Sequence, residues 1–452
     1  MKKRLVSIQD LYKIKFLREL SLAPSADMVA YTVEWLDYKK NTYYSNLYVV
    51  DSKGRVRHYI RGNKKVRSPA WSPDGRYISF IMSEKEKQNI WLIPVDGGEP
   101  FCLTRTKGTF GRYVWTPDGR YIVCEFTREK IDKERILEKG KPPLYYYIKR
   151  SWYKLDGKGI LPEEKQHIWR VNTKTGKMKQ LTSGKNGDSA PNISPDGKKI
   201  VFVSNRNEPF EEKLLYTDIF VIDIDGKNEM KVKTLAGPKD LPTFLADNRT
   251  IIYVGTRYPN DYAGWRNNYI WATRVKDGRS INLTRSLDRT VRDRVLDDLG
   301  HPDGDAPKPS SDGRTIYFTA TDYGNTFLYG VDVSSKRVFK YYNEPGRIYG
   351  FDYDGKDTFV FAKSTSTDPG DIYLLKNGRC RRLTEVNKRY LQTHRIVRPE
   401  EFRFKGYKGR EIQGWILKPP NFNKKRRYPL LVQIHGGPHF AYGNSFFHEF
   451  QV

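Results

Sequence analysis

The stretch YPLLVQIHGGP, residues 428–438, carries the residue types most suited to chemistry. Leu430–Ile434 is an apolar run that suits a buried strand. His435-Gly436-Gly437-Pro438 ends it. Hydrolysis of an ester or amide builds negative charge on the carbonyl oxygen, and backbone N–H groups fixed at that point stabilise it. Paired glycines after a strand let the main chain turn sharply and approach a substrate with no side chain in the way. Gly437 is therefore the candidate N–H donor, and His435, Gly436, Gly437 and Pro438 form the candidate oxyanion loop. The plainer reading of HGGP is a tight turn after a strand.

A donor loop needs a nucleophile. In α/β-hydrolases a loop of the HGGG type precedes a serine on a G-x-S-x-G turn, and an acid and a histidine follow in that order. Only HFAYGNSFFHEFQV comes after Pro438. Gly443-Asn444-Ser445-Phe446-Phe447 begins as that turn does but has Phe in place of the second Gly. Gly278-Arg279-Ser280-Ile281-Asn282 fails in the same way. His439 and His448 come too early to be the base. No triad can be assigned, so no nucleophilic catalysis is expected of these residues alone.

The rest of the chain repeats itself. The phrase WSPDGRYISF (71–80) returns as WTPDGRYIVCEF (115–126), ISPDGKKIVFV (193–203), LADNRTIIYV (245–254), SSDGRTIYFT (310–319) and FDYDGKDTFVF (351–361). LAPSADMVAYTV (22–33) is a weaker copy that precedes them. Asp-Gly supplies a tight turn, and the residues after it alternate as in a half-buried strand. A second phrase follows each copy, of the type NIWLIPVDGGEPFCLT or HIWRVNTKTGKMKQLT, which reads as strand, turn, strand. Four strands repeating at roughly 40–50 residues mark a β-propeller. The sequence predicts a mainly β chain: an N-terminal segment (1–20), a seven-bladed propeller (21–385), and the incomplete start of an α/β-hydrolase domain (386–452). In the last part, 401–420 reads as a hairpin around Gly406–Gly409.

Two insertions interrupt the repeats. The step from Asp118 to Asp196 is much longer than that from Asp74 to Asp118, and its excess is a charged, aromatic excursion in the third repeat. DRTVRDRVLDDLGHPDGDAP (288–307) precedes the sixth. Its Asp297, Asp298, His301, Asp303 and Asp305 lack the spacing of a calcium loop, so a solvated turn is expected.

The whole arrangement resembles the prolyl oligopeptidase family of serine peptidases. The resemblance rests on a propeller followed by GREIQGWILKPPNF and YPLLVQIHGGP. HGGPHFAYG and the YKLDGKG stretch (153–159) are closest to the acylaminoacyl-peptidase branch. It implies a propeller that screens substrates by size, an oxyanion role for the Gly437 amide, and a conformational role for His435. It implies cleavage of short, N-acylated or free peptides once the Ser, Asp and His are supplied, for instance by a second chain. The sequence then reads as the front part of such a peptidase. Residues 386–452 are expected to be the least stable part, with a protease-resistant core ending near Thr384 and first cleavage in Lys424–Arg427.

Composition narrows the alternatives. The net charge is +28 and 30% of residues are charged. The basic residues are scattered along the chain, so they read as surface decoration. The alternative function is a non-enzymatic propeller scaffold that binds protein or polyanionic partners. Nucleic acid is not expected as a partner. No apolar run is long enough to cross a bilayer, so no membrane partner is expected either. Cys102, Cys124 and Cys380 lie far apart, which suits a cytoplasmic setting. No cofactor and no metal are expected.

Overall fold

The repeated phrases fold turn by turn as their chemistry dictates. A computed structural model describes residues 3–452 except 85–86, 130–146, 156–158, 162, 210–211, 214, 262–263, 265 and 300–304. Most of the third-repeat excursion, part of YKLDGKG, and His301 and Asp303 therefore lie outside the described residues. In the turn after Trp71, Ser72 Oγ donates to Asp74 Oδ1 at 2.6 Å, and Asp74 accepts the Arg76 N–H at 3.1 Å. Gly75 sits at φ 73°, which a side chain would resist. Thr116-Asp118, Ser194-Asp196 and Ser310-Asp312 repeat the arrangement with contacts of 2.5–2.6 Å. Where the phrase lacks Gly, Asn248 takes the left-handed place at φ 54°.

The Leu-Thr pairs that close the second phrase have an equally local cause. Thr104, Thr182 and Thr384 each accept, through Oγ1, the main-chain N–H of an earlier strand residue: Ile90 (2.9 Å), Ile168 (2.9 Å) and Ile372 (3.0 Å). Each threonine thus ties the last strand of a meander to the one before it.

The described residues divide into two compact units. The first comprises Met1–Trp71, Ala263–Asn267 and Thr284–Val452. It holds a four-stranded antiparallel meander, Phe16–Leu22, Met28–Asp37, Thr42–Asp51 and Val56–Ile60. It also holds an eight-stranded sheet built from two further meanders, one running from Lys308–Pro309 to Val338–Tyr342 and the other from Arg347–Tyr353 to Arg379–Arg382. The two are joined by a parallel pairing of Thr326 with Arg347. Leu17, Tyr31, Val50, Val360 and Ile372 form one buried cluster; Leu328, Ile348, Phe359 and Phe361 form another.

The second unit comprises Ser72–Tyr262 and Asn268–Leu283. Its meanders start at Gly108–Trp115, Asp188–Ile193 and Lys239–Phe244, and it contains the ladder Tyr77–Glu84, Lys87–Pro94 and Phe101–Cys102. Val201, Ile219, Ile251 and Trp271 share one core; Val123, Ile200 and Phe202 share another. First strands carry a register shift, as at Phe110/Tyr113 and Ser189/Asn192. The bulge leaves amides to be satisfied. Glu125 does this, accepting Ala190 N–H at 2.6 Å and Arg112 N–H at 2.9 Å.

After the last meander come a short helix, Lys388–Thr393, and a two-stranded ribbon, Glu400–Lys405 paired with Glu411–Ile416. The ribbon is the hairpin the sequence predicts. Leu430–Ile434 differs from its expected buried strand: it pairs with no strand among the described residues, and Leu431 and Ile434 are 85% and 87% exposed. A strand exists only with hydrogen-bonding neighbours, and none lies beside this segment among the described residues. No helix among the described residues is long and apolar enough to cross a membrane.

Candidate functional site

The ribbon that leads to the HGGP loop is amphipathic in an unusual sense. Its register places Phe402, Phe404, Ile412 and Ile416 on one face, and Glu401, Arg403, Gln413 and Trp415 on the other. The polar face meets the Tyr323–Asn325 turn of the same unit. Gln413 Nε2 donates to Tyr323 O at 3.2 Å, the Arg403 guanidinium lies 4.7 Å from the Tyr323 ring, and Trp415 Nε1 donates to Asn444 Oδ1 at 3.0 Å. The apolar face is left exposed.

Beyond the ribbon, side chains of the extended segment reach the end of the chain. Gln433 Nε2 donates to Glu449 Oε1 at 2.9 Å, and Tyr442 Oη donates to Gln433 Oε1 at 3.3 Å. The His435 ring stands edge-on to Tyr442, with centroids 5.8 Å apart, and its Nδ1 is 3.0 Å from Gly436 O. His435 is thus engaged with its own loop.

Gly437 has φ 147°, and a Cβ there would stand 2.9 Å from His439 N and 3.0 Å from Phe440 N. Both features require glycine. A Cβ on Gly436 would meet nothing within 4 Å, so that glycine leaves open space beside the loop. Among the described residues, none accepts a hydrogen bond from the Gly436 or Gly437 N–H. Among the described residues the loop therefore presents two uncommitted main-chain donors, with the Phe440 ring beside Gly437.

Ser445, in the incomplete G-x-S turn, is placed for a different task. It is buried, and its Oγ donates to the Asp297 carboxylate and lies 3.0 Å from Ser364 Oγ. His448 is buried too, with Nε2 3.0 Å from Ser7 O. Neither is free for nucleophilic or base chemistry.

The packing corrects one expectation. The 288–307 insertion is not a solvated turn at its centre. The Asp297 side chain is buried, and Arg347, 1% exposed, donates to both Asp297 and Asp293. Burial pushes the Asp297 carboxyl up against the pull of that guanidinium. No cluster of metal-ligating side chains exists among the described residues. Burial within 386–452 is uneven. Phe446 is fully buried with Ile14, Phe16, Leu299 and Tyr390, while residues 400–438 stay largely exposed. The sequence offered one sign of Arg347: a charged residue opening a strand, RIYGFDY, whose neighbours are core.

No protein-family model matches the chain. The chain is 28% identical over its full length to an uncharacterized peptidase, YuxL, of Bacillus subtilis, covering 69% of that protein. It is 25% identical to a dipeptidyl-peptidase 5 of Porphyromonas endodontalis, over 92% of this chain and 60% of that one. Its fold matches an acylaminoacyl peptidase in complex with Z-Gly-Gly-Phe-chloromethyl ketone, with TM-score 0.78, 21% identity, and coverage of 99% of this chain and 64% of that one. It also matches the β-propeller domain of the Trilobed protease from Pyrococcus furiosus, with TM-score 0.56, 18% identity, and coverage of 83% and 97%. The chain thus spans about two thirds of the length of its peptidase relatives. It shares its mainly β fold with these solved structures and its sequence likeness with peptidases.

Proposed function

We propose that this chain is the propeller-bearing part of an acylaminoacyl-peptidase-like serine peptidase, and that it contributes the Gly437 N–H as an oxyanion donor. The observation that carries the reading is the state of that amide. It sits on a backbone only glycine tolerates, and no described residue accepts its hydrogen bond. As a nucleophile attacks the scissile carbonyl, negative charge gathers on oxygen, and a fixed donor there stabilises the transition state more than the substrate. The exposed apolar face of the ribbon and the exposed Leu430–Ile434 segment support the reading, since both suit a hydrolase sheet packed against them.

The 452 residues contain no G-x-S-x-G turn. In this proposal the Ser, Asp and His come from sequence outside them or from a second chain, and the chain alone is inactive. The substrates are short peptides, N-acylated ones included, and the propeller limits their size. The setting is cytoplasmic, in keeping with three free cysteines. In an enzyme completed by a hydrolase segment, Gly437→Pro removes the donor. It should lower turnover of acyl-amino-acid p-nitroanilides by about 100- to 1,000-fold, the usual effect of losing one oxyanion donor. Wild-type turnover in that variant would refute the assignment.

A further inference from the structure

A buried ion triad lies close in sequence and in space to the stretch that follows the HGGP loop. The Arg347 guanidinium donates from Nε to Asp293 Oδ2 at 2.7 Å and from Nη1 to Asp297. Asp293 is itself fixed, accepting from Thr326 Oγ1 at 2.6 Å and from Val295 N–H at 3.1 Å. A planar guanidinium can bridge two carboxylates in set directions, which an ammonium cannot. The other Asp297 oxygen accepts from Ser445 Oγ. Asp298 next to it accepts the His448 N–H at 2.6 Å.

The same stretch is held by its main chain. Ala441 N–H donates to Arg294 O at 2.9 Å, Leu296 N–H donates to Ala441 O at 2.8 Å, and Asn444 N–H donates to Gly324 O at 2.7 Å. Asn325 Oδ1 accepts both Gly346 N–H and Asn444 Nδ2, each at 2.9 Å. Loops of two adjoining meanders therefore converge on residues 441–446. Pro438, His439 and Phe440 are all that separate Gly437 from Ala441. Among the described residues Gly437 makes no hydrogen bond of its own, and this anchor is the nearest fixed stretch of chain after it.

We propose that the Asp293–Arg347–Asp297 triad, acting through Ser445, sets the position of the HGGP loop, which makes Arg347, Asp297 and Ser445 positioning residues for the Gly437 amide. The inference rests on reading Gly437 as the oxyanion donor. Two variants of the 452-residue chain test it. Ser445→Ala deletes the donor to Asp297 and leaves the Phe446 packing in place. Arg347→Lys keeps one positive charge but loses the fork. Hydrogen exchange with mass spectrometry should show residues 441–446 exchanging about 10- to 100-fold faster in both, as expected when a hydrogen bond to a charged group is lost. The loop is read separately by selective 15N-glycine labelling, with the Gly437 signal identified by its loss in Gly437→Ala. Its order parameter should fall from the rigid range near about 0.85 to below about 0.6 in both variants. Ser445→Thr keeps the hydroxyl and should restore both readouts. Unchanged exchange at 441–446 overturns the proposal. So does a Gly437 order parameter that stays put while 441–446 loosens, or one already below the rigid range in the wild-type chain. Failure of the oxyanion reading is distinct: it appears as wild-type turnover of Gly437→Pro in a completed enzyme and leaves these results unaltered.

Discussion

Phe446→Ala measures how firmly the end of the chain is tied down. The ring is completely buried against Ile14, Phe16, Leu299 and Tyr390. A Phe buries about 150–250 Å², which at about 25 cal/mol per Å² amounts to about 4–6 kcal/mol. That is an upper bound, because an unfolded segment already shields part of its surface. Measured Phe→Ala losses of about 3–5 kcal/mol, cavity included, bracket the expected value from below. With two compact units in the chain, a single unfolding free energy is ill defined, so the local opening must be read directly. In native-state hydrogen exchange, Phe446→Ala should speed exchange in peptides spanning 441–450 by about 100-fold or more, with a parallel rise around Ile14 and Tyr390. Strands of the second unit, such as Lys199–Ser204, should be unchanged. A change of less than about threefold at 441–450 would show that Phe446 does not anchor the segment.

Two further outcomes follow from the first unit. Burial pushes the Asp371 carboxyl up to about 6 from its ordinary 3.8, despite Thr384, Val386 and Arg382 around it. The folded chain then takes this proton more readily than the unfolded one, so its contribution is fully present below pH 3.8 and is lost as pH climbs through 6, a change of about 3 kcal/mol. Asp371→Asn should flatten stability between those pH values in denaturant titrations of the unit, and an unaltered slope would contradict the sign. Trypsin should cut first in the exposed Lys424–Arg427 loop, and the released C-terminal fragment should stay bound to the rest in native gel filtration; prompt loss of that fragment, leaving a core that ends near Thr384, would contradict the anchoring.

Much of the fold was legible because its signals are local. The Ser/Thr-x-Asp-Gly turns and the Leu-Thr closures are each satisfied within one or two strands, so the sequence around Asp74 or Thr182 contains nearly all their partners. The ribbon at 400–416 was legible for the same reason. The strand expected at Leu430–Ile434 did not form, because a strand is defined by neighbours and none lies beside it among the described residues. Asp297 was misread because the group that permits its burial, Arg347, lies fifty residues away in sequence. The burial of Phe446 was not legible because its cavity is assembled from residues as distant as Ile14 and Tyr390. Of the candidate site, the backbone need for glycine at 437 could be inferred from residue type. The anchoring of its loop could not, since it depends on contacts between remote segments.

The central claim about the molecule is that these 452 residues supply a donor loop and no nucleophile. Treatment of the purified chain with a fluorophosphonate probe, alongside an assay with acyl-amino-acid p-nitroanilides, tests this most directly. The expected result is no labelled serine and no turnover above background, with Ser445 protected by burial and by its bond to Asp297. Labelling of any serine, with turnover that disappears when that serine is changed to alanine, would contradict the account.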